Sequence, residues 1–248
     1  MVIGFCGSGS MAAAMARGWG DGAAELLFTD SGSGRAGELA AEVGGEAVAS
    51  NRELAERADA IVLAVKPDRL EEVAGEMSGS AKAIVSLLGA TPLQAVAAAF
   101  PGAASVCRVM PNVAVEVRRG VLCVTGEGPP RIRAMLDLLG HVVELPDEEF
   151  DAATAVMGCA PAYLALAVEA LADAGAAAGL DEQLARELVI ETTGGTAELL
   201  RLRHPADLRM AVASPGGSTE AGLEALDRGG AREAFGAAVR ASLERMRG

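Results

Sequence analysis

Apolar residues are spaced differently in the two parts of this chain, and the change falls near residue 150. Up to that point they come in short, mostly apolar runs, at 1–6, 26–29, 60–65, 83–88, 106–109, 121–124 and 142–145. The run at 60–65 is apolar at every position, as a central parallel strand covered on both faces must be, and it stops at Lys66-Pro67. Between the runs lie stretches with helical spacing, at 35–43, at 92–100 and through Ile132, Met135, Leu136 and Leu139. Glycine- and proline-rich turns separate them, as at 30–34 and at Gly126-Glu127-Gly128-Pro129-Pro130. Strands alternating with helices of this length predict an α/β fold, a doubly wound and mostly parallel sheet.

From Asp151 onward the pattern holds no strand, and helical segments follow one another with breaks at 175–181, 203–207 and 229–230. The last helix carries Phe235, Ala238, Val239, Leu243 and Met246 on one side and charges opposite. The helix over 161–175 is apolar nearly all round apart from Glu169 and Asp173, so most of its faces need covering. The expected organisation is therefore a nucleotide-binding α/β domain over 1–147 followed by an all-α domain over 148–248, which a second subunit helps to cover.

Charge and composition narrow the partners. A formal net charge of −13 leaves no basic stripe for nucleic acid. No stretch of 18 apolar residues lacks a charge, so no membrane span is expected. The chain opens directly on its first strand without an export signal, and the expectation is a cytoplasmic protein. Cys6, Cys107, Cys123 and Cys159 lie far apart and mostly inside apolar runs, which reads as buried thiols in a reducing compartment. With only His141 and His204 beside them, no metal site is expected.

The candidate chemistry begins in the first dozen residues. After the run 1–6, Gly7-Ser8-Gly9-Ser10-Met11-Ala12 fits the dinucleotide fingerprint, with Gly7 for the turn, Gly9 for approach to a pyrophosphate and Ala12 for close packing of helix on strand. The free N–H groups at the start of that helix would face an anion. After the second strand, Asp30 would favour a free ribose hydroxyl, whereas Ser31, Ser33 and Arg35 could cradle a 2′-phosphate. Asn51 reads as the N-cap of a helix beginning at Arg52. Lys66 follows a strand end, where ligands of open sheets bind. Far downstream, Ser214-Pro215-Gly216-Gly217-Ser218-Thr219-x-x-Gly222 concentrates backbone N–H groups and hydroxyls in a turn between helices, a composition suited to a carboxylate.

Taken in order, residues 3–12, Ala64-Val65-Lys66-Pro67, Arg108-x-Met110-Pro111-Asn112, Asp151-x-x-Thr154-Ala155-x-x-Gly158-x-x-Pro161-Ala162-Tyr163, the segment 169–175 and the Ser-Pro-Gly-Gly block resemble the pyrroline-5-carboxylate reductase family over essentially the whole chain. The resemblance implies a Rossmann domain followed by a helical domain through which two chains interlock, as a homodimer or a decamer of five dimers. It implies an NADPH- or NADH-dependent reduction of the imino acid 1-pyrroline-5-carboxylate to L-proline. It places Gly7, Ser8, Gly9, Ser10, Met11, Ala12, Ser31, Arg35, Asn51, Ala64, Lys66, Pro67, Met110, Pro111 and Asn112 at the cofactor, with NADPH preferred. Ser214, Gly216, Gly217 and Ser218 would hold the substrate carboxylate, and Thr219 would be catalytic, its hydroxyl facing the ring nitrogen. The chain departs from the family pattern at Val113-Ala114, Arg118-Arg119 and Cys159-Ala160. Those departures keep open a reductase of a related cyclic imine or hydroxy acid, or a non-catalytic nucleotide-binding paralogue.

Overall fold

The computed structural model describes residues 1–20, 22, 24–77, 79 and 82–247. The elements run β1 (Val2–Cys6), α1 (Ser10–Trp19), β2 (Glu25–Thr29), α2 (Arg35–Val43), β3 (Glu46–Ala47), α3 (Asn51–Arg57), β4 (Ala60–Leu63), α4 (Leu70–Glu76), β5 (Ala83–Ser86), α5 (Leu93–Ala99), β6 (Ser105–Pro111), β7 (Gly120–Gly126), α6 (Pro130–Asp137) and β8 (Gly140–Glu144). Among the described residues they form one sheet in the order β3-β2-β1-β4-β5-β6-β7-β8. Every neighbouring pair is parallel except β6 with β7. The link between those two is only residues 112–119, too short for the crossover that a parallel pair requires, so β7 returns antiparallel.

Alternation along each strand sends neighbouring side chains to opposite faces, and two cores result. Ile3, Phe5, Val62, Val85 and Val109 pack with α1, α2 and α6, whereas Cys6, Leu27, Ile61, Leu63 and Ile84 pack with α3, α4 and α5. Phe5 stacks on Phe28 at 5.3 Å between ring centroids and meets Trp19 at 5.6 Å. The Trp19 indole N–H is not stranded by its burial, because it donates to the Met135 carbonyl at 2.7 Å. The strand expected over 60–65 ends at Leu63, and the chain beyond it passes into the short 3-10 turn Pro67–Arg69.

From Asp147 the described backbone is helical. A 3-10 turn (Asp147–Glu149), α7 (Phe150–Ala153) and a π-helical turn (Thr154–Gly158) lead into α8 (Ala160–Ala177), α9 (Glu182–Leu200), α10 (Pro205–Val212), α11 (Ser218–Arg228) and α12 (Ala231–Arg247). The chain divides into two compact units, one of Met1–Cys159 with Leu243–Gly248, the other Ala160–Ser242. In the second unit α8 and α9 lie close, since a Cβ added at Gly175 would stand 3.3 Å from that of Ala185. Asp181 caps α9 by accepting from the Gln183 and Leu184 N–H groups, and the Tyr163 and Ser242 hydroxyls meet at 2.6 Å. Much apolar surface of this unit stays uncovered within one chain: Leu164, Leu166 and Leu171 are 55%, 66% and 61% exposed. The helical run Asp147–Ala177, with a mean hydropathy of 1.7 over an 18-residue window, is long and apolar enough to cross a membrane by length and composition alone. Charge-counting along the sequence did not foresee that, because the few charges in the run are diluted by its alanines and leucines.

Candidate functional site

The carboxyl ends of β1, β2, β4 and β6 share one edge of the sheet, and the chain order reverses between β1 and β4. That reversal leaves a crevice where open sheets bind ligands. Gly7 turns the chain there with φ +97°, and a Cβ on it would lie 2.7 Å from the Ala64 carbonyl oxygen, so only glycine fits. Above Gly9 an added Cβ would meet nothing within 4 Å; the backbone faces open space. The first helical bond of α1 runs from the Ala13 N–H to the Gly9 carbonyl, and Gly9 brings no side-chain cap. The N–H groups of Ser10, Met11 and Ala12 are therefore left for an anion. Ser8 is buried and its hydroxyl donates to the Thr29 carbonyl at 3.0 Å, so it offers a ligand its backbone alone. Ala12 is fully buried against the sheet. These residues fit a dinucleotide pyrophosphate.

At the end of β2, Asp30 makes hydrogen bonds within its own loop. Its Oδ1 accepts from the Gly32 and Ser33 N–H groups at 2.7 and 3.1 Å, and its Oδ2 from the Ser33 hydroxyl and the Ala36 N–H at 3.0 and 2.8 Å. Those bonds, the one from Ala36 foremost, hold its carboxyl below the usual carboxylate range. The acid that looked free for a hydroxyl is bound into its own loop, and Ser33 with it. Ser31 and Arg35 remain exposed beside it.

Asn51 differs from expectation. Ser50 is the N-cap, accepting from the Glu53 N–H at 3.2 Å, and Asn51 is the first residue of α3. The Asn51 side chain instead links the strand ends: its Oδ1 accepts from the Thr29 hydroxyl at 2.6 Å and the Cys6 thiol at 3.3 Å, and its amide donates to Glu76 at 2.6 Å. Ala64 is half-buried beside Gly7, and Lys66 and Pro67 are exposed at the end of β4. Met110 and Pro111 close β6. Asn112 is buried; its Oδ1 accepts from the Val121 N–H at 3.2 Å and its amide donates to the Met157 carbonyl at 3.2 Å, within the π-helical turn. Asn112 therefore fixes backbone around the site.

Two arginines carry roles that the sequence reading did not assign. Arg108 lies on β6 with its side chain 4% exposed, pairs with Asp147 at 2.8 Å and stacks over the Phe150 ring at 4.6 Å. The other Asp147 oxygen accepts the Leu93 N–H at 2.9 Å. An arginine within an otherwise apolar strand was the available signal, since such a charge needs a buried partner. Arg118, at φ +56°, donates to the Gly18 and Trp19 carbonyls at 2.6 and 3.1 Å and so caps the carboxyl end of α1. Beneath the cofactor turn, burial raises the Cys6 thiol to about 12, and on β6 burial raises Cys107 to about 11. Cys123 is raised by burial too, and Cys159 is half-buried.

In the second unit Ser214, Pro215 and Gly216 form an exposed turn, Gly216 at φ +73°, and Gly217 is the N-cap of α11 without a side-chain cap. The Gly217 N–H donates to the Ser214 carbonyl at 2.9 Å, and the first helical bond joins the Ala221 N–H to the Gly217 carbonyl. The N–H groups of Ser218 and Thr219 and both their hydroxyls therefore stand at an open helix start. A residue outside the expected set reaches in: the Glu220 carboxylate accepts the Gly216 N–H at 2.6 Å. Glutamate in the first turn of a helix commonly reaches back to a free N–H at its start, here that of Gly216, one residue before the N-cap, a signal the sequence did carry.

Fold and crevice define a dinucleotide-binding α/β protein with an appended helical unit, the architecture of many nicotinamide-dependent oxidoreductases. Residues 147–248 match the family model for pyrroline-5-carboxylate reductase dimerisation, and residues 2–89 match the model for NADP oxidoreductase, coenzyme F420-dependent. A pyrroline-5-carboxylate reductase of Synechocystis sp. is 38% identical over 79% of this chain and 76% of its own length. One from Pseudomonas aeruginosa is 32% identical over 98% and 94%. Among solved structures, 1-pyrroline-5-carboxylate reductase of Streptococcus pyogenes matches with TM-score 0.91 and 29% identity, over 100% of this chain and 98% of that one. The pyrroline carboxylate reductase of Plasmodium falciparum with NADP bound gives 0.89 and 27%, over 100% and 97%. This chain belongs to the pyrroline-5-carboxylate reductase family.

Proposed function

We propose that the chain reduces 1-pyrroline-5-carboxylate to L-proline, the last step of proline biosynthesis. The observation that carries this reading is the presence, in one chain of this family, of an open pyrophosphate turn at residues 7–12 and a helix start at residues 214–219 whose N–H groups and hydroxyls suit a small carboxylate. The cofactor, NADPH or NADH, supplies the hydride. The backbone of Gly216, Gly217 and Ser218, with Ser214, holds the carboxylate and fixes the ring's orientation. The Thr219 hydroxyl hydrogen-bonds the ring nitrogen; an iminium carries its own activating charge, so orientation and a modest proton relay suffice.

The Asp30 bonds support NADPH, since that carboxylate is engaged within its own loop and Ser31 and Arg35 are exposed and free to meet a 2′-phosphate. Ala64, Lys66, Pro67, Met110 and Pro111 flank the remainder of the cofactor. The functional boundary is taken at 147/148, one residue inside the match to the dimerisation model, and a second copy covers the exposed leucines of α8. On this reading the apolar run Asp147–Ala177 meets protein, not lipid. Free thiols suit a cytoplasmic enzyme, and dimers of this family's architecture could assemble further into a decamer.

The test is oxidation of NADPH by the purified protein on addition of 1-pyrroline-5-carboxylate, with L-proline identified as product. Turnover of another cyclic imine in its place would assign the chain to the related reductase that Val113-Ala114 and Cys159-Ala160 keep in view. Cofactor binding without turnover of any imine would mark a non-catalytic paralogue.

A further inference from the structure

We propose that Glu220 is a built-in competitor for the substrate carboxylate, a residue that sets affinity for substrate and product. The inference rests on the reading of the 214–219 loop given above. The Gly216 N–H donates to a carboxylate, that of Glu220, at 2.6 Å. The side chain belongs to the first turn of α11, three residues beyond the Gly217 N-cap. This internal carboxylate takes, at Gly216, the place that the functional reading gives to the carboxylate of an imino acid. An imino acid that takes the Gly216 N–H has to release Glu220, and the displaced charge stays within one side chain's reach of the ligand. Two carboxylates a few ångströms apart at a solvent-facing site oppose each other by up to about fivefold in binding, and the charge on the ligand's ring nitrogen, farther from Glu220, offsets only part of this. The same contact caps the loop before the ligand arrives and reforms as product leaves, so the open turn keeps its shape between turnovers. Glu220 therefore favours product release at the expense of tight binding.

The experiment is equilibrium binding of L-proline to the full-length protein with NADP⁺ present, by calorimetry, for wild type, Glu220→Gln and Glu220→Ala. Glutamine keeps an oxygen for the Gly216 N–H and removes the charge; alanine removes both, and the thermal midpoint of each variant reports whether the cap is needed for folding. The expected result is proline affinity tighter by up to about fivefold in Glu220→Gln. The gap from wild type should narrow as salt rises from 20 to 500 mM, about the range over which exposed charges become screened. NADP⁺ affinity should be the same in all three proteins. Equal or weaker proline binding by a folded Glu220→Gln overturns the inference and leaves Glu220 a helix cap, and a gap that does not respond to salt does so as well. If wild type neither binds proline nor reduces 1-pyrroline-5-carboxylate, the functional reading itself fails, and the role of Glu220 fails with it.

Discussion

A single hydroxyl carries the sharpest prediction at the scale of residues. Thr219→Val keeps the shape at the start of α11 but, on the proposed function, leaves the ring nitrogen without its partner. Loss of a hydrogen bond to a charged group costs about 1.5–3 kcal/mol, so kcat/KM should drop roughly 10- to 150-fold, with kcat falling more than binding weakens. Ser214→Ala should act mainly on KM for the imino acid, and wild-type turnover in Thr219→Val would point to a backbone-held water as the proton source. At the cofactor, Arg35→Ala should raise KM for NADPH and leave NADH unchanged; equal losses for both would remove Arg35 from the 2′-phosphate. Asp30 adds a pH signature. Its carboxyl is depressed in the folded protein, so it stabilises the fold above the ordinary carboxylate range and loses that contribution as pH falls through its folded value. Asp30→Asn should therefore unfold more easily than wild type at pH 7, and the difference should close toward pH 2. Spacing alone made Gly7 and Ala12 legible, because the turn and the packing of helix on strand restrict what fits there. Asn51 was misread as the cap of α3, a place Ser50 takes, because its side chain is committed to partners set by the fold, Thr29, Cys6 and Glu76, and the bonds of Asp30 to the turn after β2 were hidden from the sequence for the same reason.

At the scale of elements, the sheet depends on one buried cation. Arg108 holds β6 to Asp147, and through Asp147 to the first residue of α5, while the Phe150 ring covers its guanidinium. Arg108→Met should cost about 3 kcal/mol, near the low end for breaking a buried pair because Asp147 keeps some contact with water. Asp147→Asn should cost at least as much, as its single amide oxygen can keep only one of the two partners and the buried guanidinium loses its counter-charge; chemical denaturation of both variants gives the comparison. Long apolar runs and helical periodicity foretold β1, β2, the centres of β4 and β5, α2 and α6. The two-residue β3 is too short to show a period, and α4 has few apolar positions of its own. The antiparallel turn of β7 was legible only as a short connection, residues 112–119, whose geometric consequence depends on knowing that β6 and β7 are neighbours.

At the scale of the whole molecule, the leucines of α8 are the feature that one chain leaves unresolved. Sedimentation at low concentration should find a dimer with no active monomer, and a stable, active monomer would remove the interface from the proposal. Added Cβ atoms at Gly194 and Gly195 meet nothing within 4 Å in one chain, so any close helix approach they permit is with another copy. The order of elements and the change from sheet to helix near residue 150 were readable from the pattern alone. The covering of the helical unit was not, because an apolar face shows that it needs a partner and says nothing of which one. The thiols give the molecule an internal clock. Cys159 is half-buried, whereas Cys6 lies under the pyrophosphate turn with its thiol held near 12 by burial. An alkylating reagent should mark Cys159 first and reach Cys6 only when the sheet edge opens, at a rate set by that opening. Saturating cofactor should slow the Cys6 reaction and barely touch that of Cys107, so mass spectrometry of four labelled peptides would time the breathing of the nucleotide crevice without any engineered probe.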